Sequence, residues 1–245
     1  MTGKTVVVPP PLQSPSKLRA FLRGRFTREG TLGLYLTVGF LACALLVVLI
    51  AFVLDEATDL PVPAGYDRSV TLALRDLQTP ALTRIFRAVT NLGDYRFLVP
   101  ATLVASGALV FAKRRVSALL FLGSVIGGFA LESILKIAIH RSRPDLWPAL
   151  VTEKTFSFPS GHATMCSLFF GGVAAVVLHV TKRRTIRVAT IVAAITLIVA
   201  VDFSRLYLGA HWLTDVVAGT LLGLFWVVIC ATGTEYFARR GAVKK

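Results

Sequence analysis

Acidic side chains are scarce in this 245-residue chain: 13 Asp and Glu stand against 27 Lys and Arg, for a formal net charge of +14. Charge of either sign is thin, at 16% of residues, while apolar residues make up 55%. A soluble domain needs more charge than this to cover its surface, which argues against that class. Cysteine is also sparse. Cys43, Cys166 and Cys230 all fall inside apolar runs, which argues against a disulfide frame or a cysteine metal centre. No internal repeat is evident, no Asp, Glu and His cluster resembles a metal site, and the opening residues do not read as a signal peptide.

What the chain has instead is long apolar runs, with a mean hydropathy of +0.70. Residues 31–54 carry no charge over a length sufficient for a membrane crossing, which takes roughly 20 residues. Further spans are expected at 96–112 (short, with Pro100), 116–139, 162–180, 188 to about 206, and 212–237. Between the first two, residues 55–94 are mixed in charge. Apolar residues recur there at helical spacing over 69–77 and 81–92, which predicts short interfacial helices broken near Pro80. The fold class expected is all-α, a bundle of six transmembrane helices over residues 31–237. It is preceded by a basic segment, 1–30, with the pattern of an amphipathic surface helix, and followed by a basic tail, 238–245.

So basic a chain raises nucleic acid as a partner, but the placement of the charges favours membrane topology. Six spans put the N-terminal segment, residues 113–115, residues 182–187 and the tail on one face. Together these hold 17 of the 27 Lys and Arg, with Glu29 the only acid among them and Glu235 just before the tail. By the positive-inside rule both termini are cytoplasmic. The other face is then expected to be non-cytoplasmic.

The polar residues embedded in this apolar sequence gather at the ends of four spans on that opposite face. His211 and Asp215 are four apart, so a helix places them on one face, where a carboxylate can hold one imidazole nitrogen and leave the other as a base or nucleophile. Arg205 lies six residues earlier. Lys136 sits inside the third span and Arg143-Pro144 just beyond it. Cations converging at one membrane depth call for an anion. Ser160-Gly161-His162 opens the fourth span, where free N–H groups and the helix dipole suit a phosphate-sized anion, although Ser160 serves equally as an N-cap. Glu132, one turn before Lys136, and Asp202, near Arg205, are expected as supporting ion-pair partners.

Lys136, six residues, Arg143-Pro144; Pro159-Ser160-Gly161-His162; and Ser204-Arg205, five residues, His211, three residues, Asp215: these three blocks, complete and in order, resemble the signature of the type 2 phosphatidic acid phosphatase superfamily. The resemblance covers roughly residues 65–235. It implies a membrane lipid phosphatase acting on a lipid phosphate or diphosphate, such as undecaprenyl diphosphate, phosphatidylglycerol phosphate, phosphatidic acid or lipid A 1-phosphate. It implies that Lys136, Arg143, Arg205, Ser160 and Gly161 hold the phosphoryl group, that His211 attacks phosphorus with Asp215 orienting it, and that His162 serves as acid and then base. No metal or other cofactor, and no nucleic acid partner, is implied. A phosphotransferase using the same residues is the first alternative, and a non-enzymatic transporter a more distant one. The lipid and the oligomeric state stay open.

Overall fold

A computed structural model describes residues 28–58 and 65–243. The basic segment 1–30 therefore lies almost wholly outside the described residues. The chain divides into two compact units, Met1–Val38 and Gly39–Lys245, and the packing and the site described below belong to the second. Among the described residues the elements are helical: α1 (Arg28–Thr58), α2 (Gly65–Asp76), α3 (Pro80–Thr90), a 3-10 turn (Asn91–Gly93), α4 (Tyr95–Phe111), α5 (Arg115–Ile139), α6 (Gly161–Val180), α7 (Arg184–Tyr207) and α8 (Leu213–Val243).

Local chemistry sets these boundaries. Thr79 caps α3, its Oγ1 accepting from Leu82 N at 3.2 Å, and Pro80 follows at the first helical position, where its missing N–H costs nothing. Asp94 caps α4, accepting from Arg96 N at 2.8 Å. α5 ends on His140 in the left-handed conformation, with φ of 54°. The turn between α7 and α8 needs φ of +68° at Gly209, a conformation glycine adopts without a Cβ penalty.

Among the described residues four helices are long and apolar enough to cross a membrane: α5, α6, α7 and the Leu213–Thr234 part of α8. They coincide with the last four expected spans. α7 begins at Arg184, earlier than the expected 188, because the cations of the connecting loop enter its first turn. α4 has 17 residues and joins α3 and the 3-10 turn at a bend of 43°, so the two together can count as a fifth, broken span. In α1 the shorter apolar stretch Thr37–Val53 stands where the first span was expected.

Many apolar side chains of the bundle point outward, while others, Phe121, Leu168 and Val201 among them, fill its core. α5 exposes Leu119, Ile126, Ile134 and Ile137 while burying Ser117, Ser124, Gly128 and Glu132. Such a surface is stable against hydrocarbon and not against water. α6 is the central helix, packed against α5, α7 and α8. Its approach to α8 depends on small residues. A Cβ at Gly223 would lie 2.6 Å from Ser167 Cβ and 2.8 Å from the Thr164 carbonyl, and one at Gly219 would lie 2.6 Å from the Ser160 carbonyl. The connections then fix where the polar residues go. The 140–160 loop joins the end of α5 to the start of α6, and the turn at Gly209 joins the end of α7 to the start of α8.

Gly223→Ala should lower the melting temperature in detergent, because the new methyl group meets backbone that cannot rotate away. Overpacking of this kind costs about 1–3 kcal/mol. Gly107→Ala, where nothing lies within 4 Å, should be neutral or mildly stabilising in the same melt.

Candidate active site

α8 starts without a capping side chain of its own, because its N-cap position is Trp212. Asp215, three residues on, reaches back and accepts from Trp212 N at 2.9 Å, the acidic half of a capping box. The same carboxylate oxygen, Oδ2, accepts a short hydrogen bond from Ser157 Oγ and lies 3.4 Å from His211 Nδ1. One local backbone need therefore turns Asp215 toward the imidazole. On the other side of the ring, Arg143 Nη1 lies 3.0 Å from His211 Nε2. A guanidinium only donates, so Nε2 must carry the lone pair and Nδ1 the proton. The ring is buried, only 1% exposed. Burial holds its pKa well below the ordinary histidine value, and the charges of Arg143, Arg205 and Lys136 push the same way, so the ring is neutral.

Arg143 also donates to the Ala210 carbonyl at 2.7 Å and to the Thr155 carbonyl at 2.8 Å, which fixes its plane. Arg205, near the end of α7, is 1% exposed. It donates through Nη1 to Thr90 Oγ1 at 3.0 Å and through Nη2 to Glu153 in a short ion pair, while its buried Nε has no partner. Lys136 pairs with Glu132 at 2.7 Å, as the one-turn spacing predicts, and a Cβ on Gly161 would lie 3.4 Å from its Nζ. Lys136 thus ends at the N-terminus of α6. Arg205, Lys136 and Arg143 are close enough to act on the His162 ring, and the neutral His211 is near it too, which gathers all five side chains in one region.

Ser160 occupies the N-cap position of α6 but makes no side-chain cap; its Oγ is buried and has no partner. Its N–H donates to the Asp215 carbonyl at 2.9 Å. The expectation that the Ser160 N–H faces an anion is corrected: that group is committed to α8. The first-turn N–H groups of Gly161 and His162, which a helix leaves without internal partners, remain for a ligand, together with the Ser160 hydroxyl. The expected partnership of Asp202 with Arg205 is also corrected. Asp202 accepts from Thr220 Oγ1 at 2.6 Å on α8, and the carboxylate on Arg205 is Glu153 from the loop. An acid three residues before an arginine on one helix points where the neighbouring helix lies, and here that neighbour supplies a hydroxyl.

Four contributors escape a reading of the sequence. Arg141 looks like a solvated loop cation, yet it is 6% exposed and bonded to Asp215 at 2.6 Å. Ser157, Glu153 and Asp67 carry no local signal, since their partners lie 52 to 147 residues away. Among the described residues no three His, Cys, Asp or Glu converge in a metal-binding set. The arrangement offers a neutral imidazole whose Nε2 lone pair is turned toward Arg143, with Lys136, Arg205, the orphaned Ser160 hydroxyl and a helix N-terminus nearby. Chemically, it is suited to receive a tetrahedral oxyanion and attack it.

Comparison with known proteins gives the same region. The family model described as PAP2 superfamily matches residues 117–239. Phosphatidylglycerophosphatase B of Bacillus subtilis is 33% identical over 159 residues, covering 64% of this chain and 78% of that protein. Lipid A 1-phosphatase of Rhizobium johnstonii is 34% identical over 139 residues, 53% of this chain and 51% of its own length. An undecaprenyl-diphosphatase of Sulfolobus acidocaldarius is 30% identical over 142 residues, covering 56% of this chain and 63% of its own. Among solved structures, the transmembrane PAP2 type phosphatidylglycerolphosphate phosphatase from Bacillus subtilis superposes with a TM-score of 0.66 at 29% identity, over 81% of this chain and 96% of that one. Aquifex aeolicus LpxE shares the fold, with a TM-score of 0.55 at 21% identity over 71% of this chain and 96% of that one.

The depressed His211 pKa makes a stability prediction. Once unfolded, the ring takes up a proton as pH falls through its ordinary value of 6.5, whereas the folded ring does not. Its contribution is therefore complete above that value and is lost as pH falls below it. The melting temperature in detergent should drop between pH 7.5 and 5.5, and His211→Gln should remove part of that drop.

Proposed function

The chain belongs to the PAP2 superfamily, and from that premise we propose that it dephosphorylates a membrane lipid phosphate or diphosphate through a phosphohistidine on His211. That it is a lipid phosphatase follows from its family and from the relatives described above. The observation that carries the finer reading is the state of His211: neutral, proton on Nδ1 toward Asp215, lone pair on Nε2 toward the cations.

Lys136, Arg143 and Arg205 take the phosphoryl oxygens, with the Gly161 and His162 N–H groups and the Ser160 hydroxyl completing the cradle. His211 Nε2 attacks phosphorus in line. The N–P bond forms as the bond to the leaving oxygen breaks, and that oxygen takes a proton from His162. The bound dianion among the cations is what lets His162 carry this proton. Water then attacks the phosphohistidine, His162 takes the water's proton, the N–P bond breaks, and inorganic phosphate leaves. Asp215 stabilises the positive imidazole that forms on attack. Glu132 and Asp202 support the helices and take no part in the chemistry. Charge stabilisation comes from side chains, so the reaction as written uses no metal.

The leaving group is a lipid alcohol, or a lipid phosphate where the substrate is a diphosphate. The relatives named above act on a phosphatidylglycerophosphate, an undecaprenyl diphosphate and a lipid A 1-phosphate. The shared chemistry is a phosphate at headgroup level on a tail that stays in the bilayer. We extend the same reading to topology: six spans within residues 31–237, α2 and the start of α3 at the outer interface, both termini cytoplasmic, and the site facing the periplasm of an inner membrane. The excess of Lys and Arg at 1–30, 113–115, 182–187 and 238–245 supports it.

Phosphate release from a panel of purified lipid phosphates and diphosphates is the direct test. His211→Ala should lose at least about 10³-fold in kcat, with an unchanged far-ultraviolet spectrum; orthovanadate should inhibit, and EDTA should leave the rate unchanged. A rate near wild type in that variant overturns the mechanism, and release only when an acceptor lipid is added turns the assignment to phosphotransfer. Glu153 pairs with Arg205, so Glu153→Gln should bind orthovanadate more tightly than wild type in an equilibrium titration.

A further inference from the structure

Arg141 and Asp67 lie behind the His211–Asp215 pair, away from the three cations that face the phosphate. Arg141 Nη1 donates to Asp215 Oδ1 at 2.6 Å and to Thr214 Oγ1 at 2.6 Å, and Nη2 donates to Asp67 Oδ2 at 2.9 Å. Asp67 comes from α2, far away in sequence. Its Oδ1 accepts from Thr214 N at 3.0 Å and its Oδ2 from Thr214 Oγ1 at 2.7 Å. Asp67 is therefore the capping carboxylate that Trp212 cannot be for α8. All three charged groups are buried, with Asp67 and Asp215 fully so. Three of the five N–H donors of Arg141, two on Nη1 and one on Nη2, are committed to these side chains.

We propose that Arg141 and Asp67 are positioning residues of this active site, a buried pair that keeps Asp215 ionised and turned so that Oδ2 is left for His211. The proposal rests on the reading of His211 as nucleophile. One loop supplies an arginine to each end of the dyad: Arg143 meets Nε2 of His211, and Arg141 meets the far oxygen of Asp215. The charge count makes the pair asymmetric. Two buried carboxylates share one guanidinium. With Arg141 removed they face each other uncompensated and cannot both stay ionised. Asp215 then takes a proton and no longer accepts from His211 Nδ1–H. With Asp67 removed, Arg141 still has Asp215 and Thr214. Removing both relieves the repulsion. A role confined to packing makes the opposite statement, that the double variant is the worst of the three. Lysine does not replace Arg141, since one ammonium cannot present the planar fork that spans the two carboxylates.

Full-length protein in detergent, with phosphate release and 15N spectra of histidine-labelled samples, tests this. Arg141→Gln should lower kcat by roughly 10²- to 10⁴-fold, the range known for loss of a histidine-orienting carboxylate, with KM within about threefold. Asp67→Asn should cost less than about tenfold, and the double variant should recover at least about tenfold over Arg141→Gln. A raised KM with kcat kept would make Arg141 a phosphate ligand and overturn the proposal, as would a double variant no better than Arg141→Gln. If Arg141→Gln does not fold, Arg141→Lys carries the test: a kcat loss of about tenfold or more at constant KM supports positioning, and wild-type kcat overturns it. The spectra need no substrate. Wild type should show His211 protonated on Nδ1 with bare Nε2, and the Arg141 variant should lose that single tautomer; an unchanged spectrum overturns the proposal. A wild type that shows the tautomer but releases phosphate from no lipid contradicts the functional reading and leaves the positioning of the ring standing.

Discussion

The backbone hydrogen bond from Ser160 N–H to the Asp215 carbonyl, 2.9 Å long, is the constraint on which the site depends. It joins the first residue before α6 to the first turn of α8, two elements separated by more than fifty residues. It uses no side chain, so it holds whatever the loops around it do. It needs the two helices close, and Gly219 and Gly223 supply that closeness because any larger residue would strike the α6 backbone. With the two starts tied together, the first turn of α6, which carries His162, lies beside the turn that carries His211.

Charge compensation follows from the same geometry. Putting several guanidinium and ammonium groups at the edge of a hydrocarbon layer costs free energy unless each has a partner. Lys136 has Glu132, Arg205 has Glu153, and Arg141 has Asp67 and Asp215. Arg143 is different. Its acceptors among the described residues are carbonyls, the Thr155 hydroxyl and His211. It is the cation least neutralised at rest and the one in contact with the imidazole, so an arriving anion gains most there. The Glu153 pairing works the other way, since a phosphoryl group must compete with a carboxylate already on Arg205. The resting site is thus balanced enough to stay folded and still short of negative charge at the point of attack.

Much of this was legible in the residues. Four apolar runs became helices with ends displaced by a few positions, because length and composition decide a membrane helix almost alone. The one-turn pairs, Glu132 with Lys136 and His211 with Asp215, follow from helical spacing. What could not be read depends on distant contacts. Arg141 and Arg143 are two residues apart and indistinguishable in composition, yet Arg143 meets Nε2 of His211 and Arg141 meets the far oxygen of Asp215. Asp202 misleads because its spacing to Arg205 is right while the neighbouring helix offers Thr220 instead. The first half of the chain was least legible: α4 is short, contains Pro100 and bends against α3, so its apolar count does not say whether it is one span or part of one.

The outward and inward faces of the helices bear on how a lipid reaches such a site. α5 and α7 show branched apolar side chains to their surroundings at Ile134, Ile137, Val199 and Phe203, within one or two turns of Lys136 and Arg205. The cations therefore lie just behind a surface that a hydrocarbon tail can wet. A substrate with a phosphate on an acyl or isoprenoid chain can keep its tail against these residues while the headgroup turns inward toward Arg143. A water-soluble phosphate lacks that contact and must leave its hydration shell for the same cations with nothing apolar to offset the cost. Selectivity for lipids then arises from where the site lies along the helices, and the choice among lipids falls to the residues that surround the tail and headgroup beyond the phosphate cradle.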